Sequence, residues 1–387
     1  MFSKRTQWTT IPNRISLLVE QKRRRGETII DLTESNPTIC GFDYPEKEIL
    51  SALSQESVMK YKPEPRGLLQ AREALSAYYT SFGIYINPEQ IVFTSSTREA
   101  YSFLFKLLCN VGDNVLIPRP SYPLLEFLSQ INDIEPKQYR LIYDGEWHID
   151  FESLKMNLTN RTKAILLVHP NNPTGSYITQ KEFDEICNLA AEHQCAIIID
   201  EVFLPYSINS DNPKQYILEI PDSVLTFSLN GISKLIGLPQ LKLSWIIIQG
   251  NSQFRAEVLN RLDILTDTFL SVNTPVQFAL PTLLKYAPDI QKQILSRIRS
   301  NYTSLLNCFA QSKGSILNTE GGWYGILKLP QKQSDEDLIL EFLMKANILL
   351  FAGHLFELEQ HSTVITSLLP PTNTLQEALR EIFHIVE

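Results

Sequence analysis

The chain has 387 residues, 43% hydrophobic and 20% charged, a composition able to bury a large core in roughly two to three structural units. Its net charge of −8 offers no field to nucleic acid or to an anionic membrane, and no apolar run reaches the ~18 residues that span a bilayer. Five scattered cysteines (Cys40, Cys109, Cys187, Cys195 and Cys308) without a CxxC, and six dispersed histidines, argue against metal and disulfide chemistry and for reduced thiols in a cytoplasmic protein.

The opening stretch MFSKRTQWTT lacks the apolar core of a signal peptide. A first helical pattern closes in the basic run KRRRG (22–26), read as a solvated helix end capped by Gly26. From about residue 68 to 250, amphipathic helices alternate with short apolar runs. These are IVFT (91–94), NVLIP (114–118), AILLVHP (164–170), AIIIDEVF (196–203), VLTFSL (224–229) and LSWIII (243–248). Such runs predict a mostly parallel sheet covered on both faces, with ligands beyond the carboxyl ends of its strands. Residues 255–311 read as largely helical and long enough to bridge two lobes. From GGWYGILKLP onward, strand, helix, strand and helix alternate as a smaller α+β lobe, onto which the N-terminal arm is expected to pack. The expected division is an arm at 1–45, a large α/β domain at 46–285 and a small domain at 286–387.

Four features fall at expected strand ends. VHPNNPTGS (168–176) follows a strand, although its Asn-Pro-Thr-Gly alone is also a turn. Asp200 ends a wholly apolar strand, where a carboxylate is costly without a cationic or proton-donating partner; an aspartate there also caps helices. Ser95, Ser96 and Thr97 stand between a strand and a helix, where free backbone N–H groups and hydroxyls form a ready phosphate site. The fourth is Lys234 in NGISKLIGLPQLKLSW (230–245), either an exposed charge or an amine placed to form a Schiff base.

Taken in this order, and with NNPTG, DEVF and SKLIGLPQLKLSW as the most telling segments, the chain resembles the fold-type-I enzymes that use pyridoxal 5′-phosphate (PLP). The class I and II aminotransferases are the nearest match. The resemblance runs from DLTESNPT to the C-terminal helix. It implies the aspartate aminotransferase fold, an α/β architecture with a mostly parallel seven-stranded sheet in the large domain and a smaller α+β domain. It also implies a homodimer with active sites at the interface, and transfer of an amino group between an amino acid and a 2-oxo acid through a Lys234 Schiff base.

By the same resemblance, Lys234 attaches the cofactor and shuttles the α-proton, and Asp200 keeps the pyridine nitrogen protonated. Asn172 hydrogen-bonds the phenolic oxygen and Tyr122 stacks on the ring. Ser96, Thr97, Ser233 and Lys242 cradle the phosphate, and Tyr61 reaches the phosphate of the neighbouring subunit. Asn36, in DLTESNPTICGFDYP, faces the substrate, and Trp323, Tyr324 and Phe356 are candidate pocket walls.

Four positions depart from the family pattern. Lys242 replaces an arginine and loses its bidentate fork. Gly231 stands where a phosphate-binding serine often sits, and Phe203 where many members carry a tyrosine. In STVITSLLPP, Ile365 occupies the place of the α-carboxylate arginine, and no arginine lies between 341 and 379. Arg66 is the candidate replacement; the plain alternative is an Arg66 paired with Glu64 or another acid. These departures keep open a PLP-dependent lyase, oxidase or decarboxylase on the same scaffold. A third reading is a PLP-fold protein kept as a regulatory module, against which the intact Lys234, Asp200 and Asn172 argue.

Overall fold

The structure is a computed structural model that describes residues 2–8, 11–209, 217–250, 252–310, 312–330, 333–358 and 362–386. An eight-stranded sheet organises it. Across the sheet the strands run Ile91–Thr94, Ser244–Gln249, Thr226–Gly231, Ala196–Asp200, Thr162–Val168, Asn114–Arg119, Glu135–Tyr143 and Trp147–Ile149. Ser244–Gln249 is antiparallel to both neighbours and Trp147–Ile149 is antiparallel at the far edge; the remaining pairs are parallel. Because it runs backwards, Ser244–Gln249 brings its first residue to the edge where its neighbours end, with Ser244 opposite both Thr94 and Gly231.

The central strands are covered on both faces, which is why they read as unbroken apolar runs: Ile165, Leu166 and Leu167 have no exposed surface. Each such side chain contributes about 1.5–3 kcal/mol by leaving water. The sheet has one strand more than the resemblance implies. Glu135–Tyr143 and Trp147–Ile149 were not among the apolar runs of the sequence, because EPKQYRLIY mixes exposed and half-buried positions beside the sheet edge.

The long helical stretch is two helices, Ser252–Phe269 and Thr274–Phe309. They part where Leu270 turns left-handed (φ +43) and where Asn273 caps the second helix by accepting from the Val276 N–H. The second helix runs 36 residues, buries Ile290, Ile294 and Ile298 along one stripe, and packs on Glu46–Leu53, Leu69–Ser81 and Thr372–Val386. Residues 285 and 286 are consecutive within it.

A second, antiparallel sheet orders Ser315–Leu317, Tyr324–Lys328, Thr363–Ser367 and Phe351–Ala352. The N-terminal arm joins this part of the chain. Ile30–Asp31 pairs in parallel with Ile348–Leu349, and helix Arg14–Arg24 packs on Asp335–Ala346. No helix among the described residues is long and apolar enough to cross a membrane.

Candidate active site

Lys234 stands on the four-residue helix Ile232–Leu235, immediately after the strand Thr226–Gly231. Two tethers hold this turn: the Ile232 N–H donates to the Leu243 carbonyl at 3.0 Å, and the Tyr206 hydroxyl donates to the Lys234 carbonyl. The amine itself points among rings, with Nζ 4.4 Å from the Trp323 centroid and 5.4 Å from that of Phe203. Loss of water there, and then the Arg98 guanidinium, pull its pKa from 10.5 to about 8, against the opposing influence of Asp200.

Asp200 closes the adjacent strand. Its Oδ2 accepts from the Tyr101 hydroxyl at 3.1 Å and its Oδ1 from the Val202 N–H at 3.2 Å. Burial raises the carboxyl from 3.8 to about 6, although those donors and Lys234 hold it down in part. Beyond the next strand, the 168–176 loop is closed by the Asn171 N–H donating to the Ser176 carbonyl at 2.9 Å and the Gly175 N–H to the Asn171 carbonyl at 2.8 Å. Gly175 is left-handed (φ +70), and a Cβ on it would lie 2.3 Å from the Gly321 carbonyl oxygen, so glycine alone lets this loop meet the segment before Trp323. The loop holds Asn172, whose buried Oδ1 has no hydrogen-bond partner among the described residues.

On the other flank, Ser96 caps helix Thr97–Leu108 by accepting from the Glu99 N–H at 3.2 Å. The first amides of a helix lack intrahelical partners and carry its positive dipole end, so Thr97 opens an anion site. Ser233 is half-buried on the lysine turn; Lys242 is exposed, with a left-handed backbone (φ +55). Arg98, not singled out in the sequence, donates from Nη2 to the Tyr122 hydroxyl at 2.7 Å and lies 5.8 Å from that ring's centroid. Its one signal was its position, two residues past a helix cap.

The expected substrate side is different. The Asn36 side-chain amide oxygen Oδ1 accepts from the Thr38 N–H and hydroxyl, capping a short 3-10 turn. Tyr61 is 81% exposed. Arg66, the candidate substrate cation, is engaged by acids: Nε and Nη2 grip Asp263 at 2.7 and 2.6 Å, and Nη1 reaches Glu89 at 3.2 Å. With all three nitrogens engaged, its guanidinium ties this turn to helix Ser252–Phe269. The partner is also not Glu64, which binds Lys62. Ile365 is fully buried opposite Ile326 and Phe351. Phe203, Trp323, Tyr324, Phe351 and Phe356 form a continuous set of ring contacts with centroids 5.3–6.4 Å apart.

A planar, anionic aldehyde cofactor such as PLP fits this donor set. Lys234 offers an amine of lowered pKa, Asp200 a carboxylate that lacks a full cationic partner, and Asn172 a buried side-chain amide. The Thr97 helix end offers the anion cradle.

Comparison with known proteins bears on the same point. The family model described as aminotransferase class I and II matches residues 27–382. The chain is 27% identical to the glutamate-pyruvate aminotransferase AlaA of Haemophilus influenzae, over 92% of this chain and 90% of that one. It is 24% identical to the tyrosine aminotransferase of Bos taurus, over 100% and 92% of the two chains. Among solved structures, it superposes on an alanine aminotransferase from Pyrococcus furiosus with a TM-score of 0.88, at 25% identity, covering 100% of this chain and 99% of the other.

Proposed function

The chain belongs to the class I and II aminotransferase family, and on that premise we propose that it moves an amino group between an amino acid and a 2-oxo acid, with PLP held at Lys234. The fold is that of the aspartate aminotransferases, and the activity is that of an aminotransferase. The observation that carries the site assignment is the juxtaposition, at the ends of adjacent strands, of a half-buried lysine amine and a half-buried aspartate.

When bound, the cofactor supplies the electron sink for the amino acid's α-carbon. The chain supplies the rest. Lys234, with a pKa near 8, is partly neutral at physiological pH, so Nζ can attach the cofactor and then accept and return a proton. Asp200, aligned by Tyr101 and the Val202 N–H, would hold the proton on the pyridine nitrogen. Asn172 would offer its amide N–H to the phenolic oxygen, and Tyr122, braced by Arg98, would support the ring. Ser96, Thr97, Ser233 and Lys242 would hold the phosphate. Phe203, in place of a tyrosine, contributes a ring but no donor.

Amino acid and 2-oxo acid enter along the Trp323–Phe356 ring wall, with Asn36 at its entrance. The functional unit is a cytoplasmic homodimer in which Tyr61 crosses to the partner. This assembly draws support from the exposed apolar side chains near that loop, Met59 at 84%, Tyr61 at 81% and Phe269 at 55%. Glutamate, alanine and tyrosine are the first donors to try, since they are the substrates in the relatives' names. A lyase, oxidase or decarboxylase draws no support from these relatives.

Titrating PLP into the purified chain and into Lys234→Ala tests the assignment. A visible absorption band that forms with the native chain and not with the variant is expected. Equal bands in both would displace Lys234 from its role.

A further inference from the structure

We propose that Ser244 is a ligand of the cofactor phosphate, its hydroxyl standing between the two halves of the anion cradle; this rests on the PLP reading above. Three neighbouring strands place Thr94, Ser244 and Gly231 in one row at the carboxyl edge of the sheet. On one side of the row the chain runs from Thr94 into Ser96 and helix Thr97–Leu108. On the other it runs from Gly231 into Ser233 and Lys234. An anion that touches both the helix end and the lysine turn therefore lies over the middle of the row, at Ser244.

The side chains of the row agree with this. Thr94 is spent, its hydroxyl donating to the Ser96 carbonyl at 3.1 Å. Gly231 has an extended backbone (φ −175), which any residue adopts, so its missing side chain has another cause. A Cβ at 231 would lie 2.2 Å from the Ser244 Oγ and 3.0 Å from the Ser244 Cβ. The Ser244 hydroxyl thus occupies the volume that a side chain at 231 would fill. Ser244 is 2% exposed, and its hydroxyl has no hydrogen-bond partner among the described residues. A hydroxyl without a protein partner, on the strand between a helix N-terminus and the lysine turn, is matched to an anionic oxygen. Lys242 adds only a mobile point charge from an exposed position.

The experiment compares PLP with pyridoxal, which lacks the phosphate, by absorbance titration of the native chain, Ser244→Ala and the double variant Gly231→Ser/Ser244→Gly. Ser244→Ala should bind PLP about tenfold or more weakly, as expected for losing a hydrogen bond to a charged group, while pyridoxal affinity stays unchanged. The double variant returns a hydroxyl to the same volume and should recover PLP binding. Unchanged PLP affinity in Ser244→Ala, or an equal loss for both ligands, would overturn the assignment. Failure of the native chain to bind either ligand at Lys234 would instead remove the PLP reading, and this inference with it.

Discussion

Replacing Lys234 by methionine should stabilise the cofactor-free chain while removing its chemistry. The amine's pKa lies at about 8 instead of 10.5. At ~1.36 kcal/mol per pH unit, holding it protonated at neutral pH costs the folded state about 3 kcal/mol. Lys234 keeps part of its surface open to solvent, which trims the penalty to about 2 kcal/mol. Methionine gives up the attraction of the ammonium to Trp323 and Phe203, about 0.5–1 kcal/mol, but fills the same space with an apolar chain. Burial therefore wins, and Lys234→Met should gain about 1–2 kcal/mol at pH 7. The pH dependence is distinctive. Below pH 8 folded and unfolded chains both carry the proton and the penalty is complete. Between about 8 and 10.5 the folded chain releases the proton first, its stability rises with pH, and the advantage of methionine fades. Urea unfolding of both cofactor-free proteins at pH 7 and about pH 9.5 measures this. A variant less stable than the native chain at pH 7, or a gain that does not shrink with pH, would refute the reasoning.

Three further outcomes follow from named contacts. Asp200→Asn should leave the fold intact and slow turnover by about 100-fold or more, measured as kcat at saturating PLP. In the cofactor-free state its raised carboxyl pKa, about 6 against 3.8, makes the native chain lose stability as pH rises from about 4 to 6. Asn should flatten that decline of about 1–3 kcal/mol, read from urea midpoints across the window. Gly175→Ala meets both a left-handed backbone and the Gly321 carbonyl, so a cost of about 2–4 kcal/mol in thermal unfolding is expected. Arg66→Ala should lose about 1–2 kcal/mol by leaving Asp263 half-buried and unpaired, and shift KM for amino donors by less than about twofold. A large KM change would restore Arg66 as a substrate cation.

What could be read in the sequence was what depends on one strand and the turn after it. Strands such as Thr162–Val168 are buried on both faces, so their apolar runs stand out, and Asn172, Asp200 and Lys234 could be located as their endings. Glu135–Tyr143 lay hidden because a strand near the sheet edge keeps polar positions. What depends on register was also hidden. Nothing in the order of residues sets Ser244 against both Thr94 and Gly231 until the antiparallel strand is in place. Arg66 shows the same limit from the other side: its partner Asp263 lies 197 positions away, so the sequence left an unnamed acid as one alternative beside Glu64 and a bound substrate. Arg98 needed the helix geometry that turns it onto Tyr122.

The most direct test of the account is transfer of the nitrogen itself. The PLP-loaded chain would be incubated with 15N-labelled glutamate, alanine or tyrosine and a panel of 2-oxo acids, alongside Lys234→Ala, and the amino acids formed would be analysed by mass. The account predicts label in the amino acid made from the 2-oxo acid, with at least one donor, and none with Lys234→Ala. Label released as ammonia, or transfer at the same rate without Lys234, would contradict it.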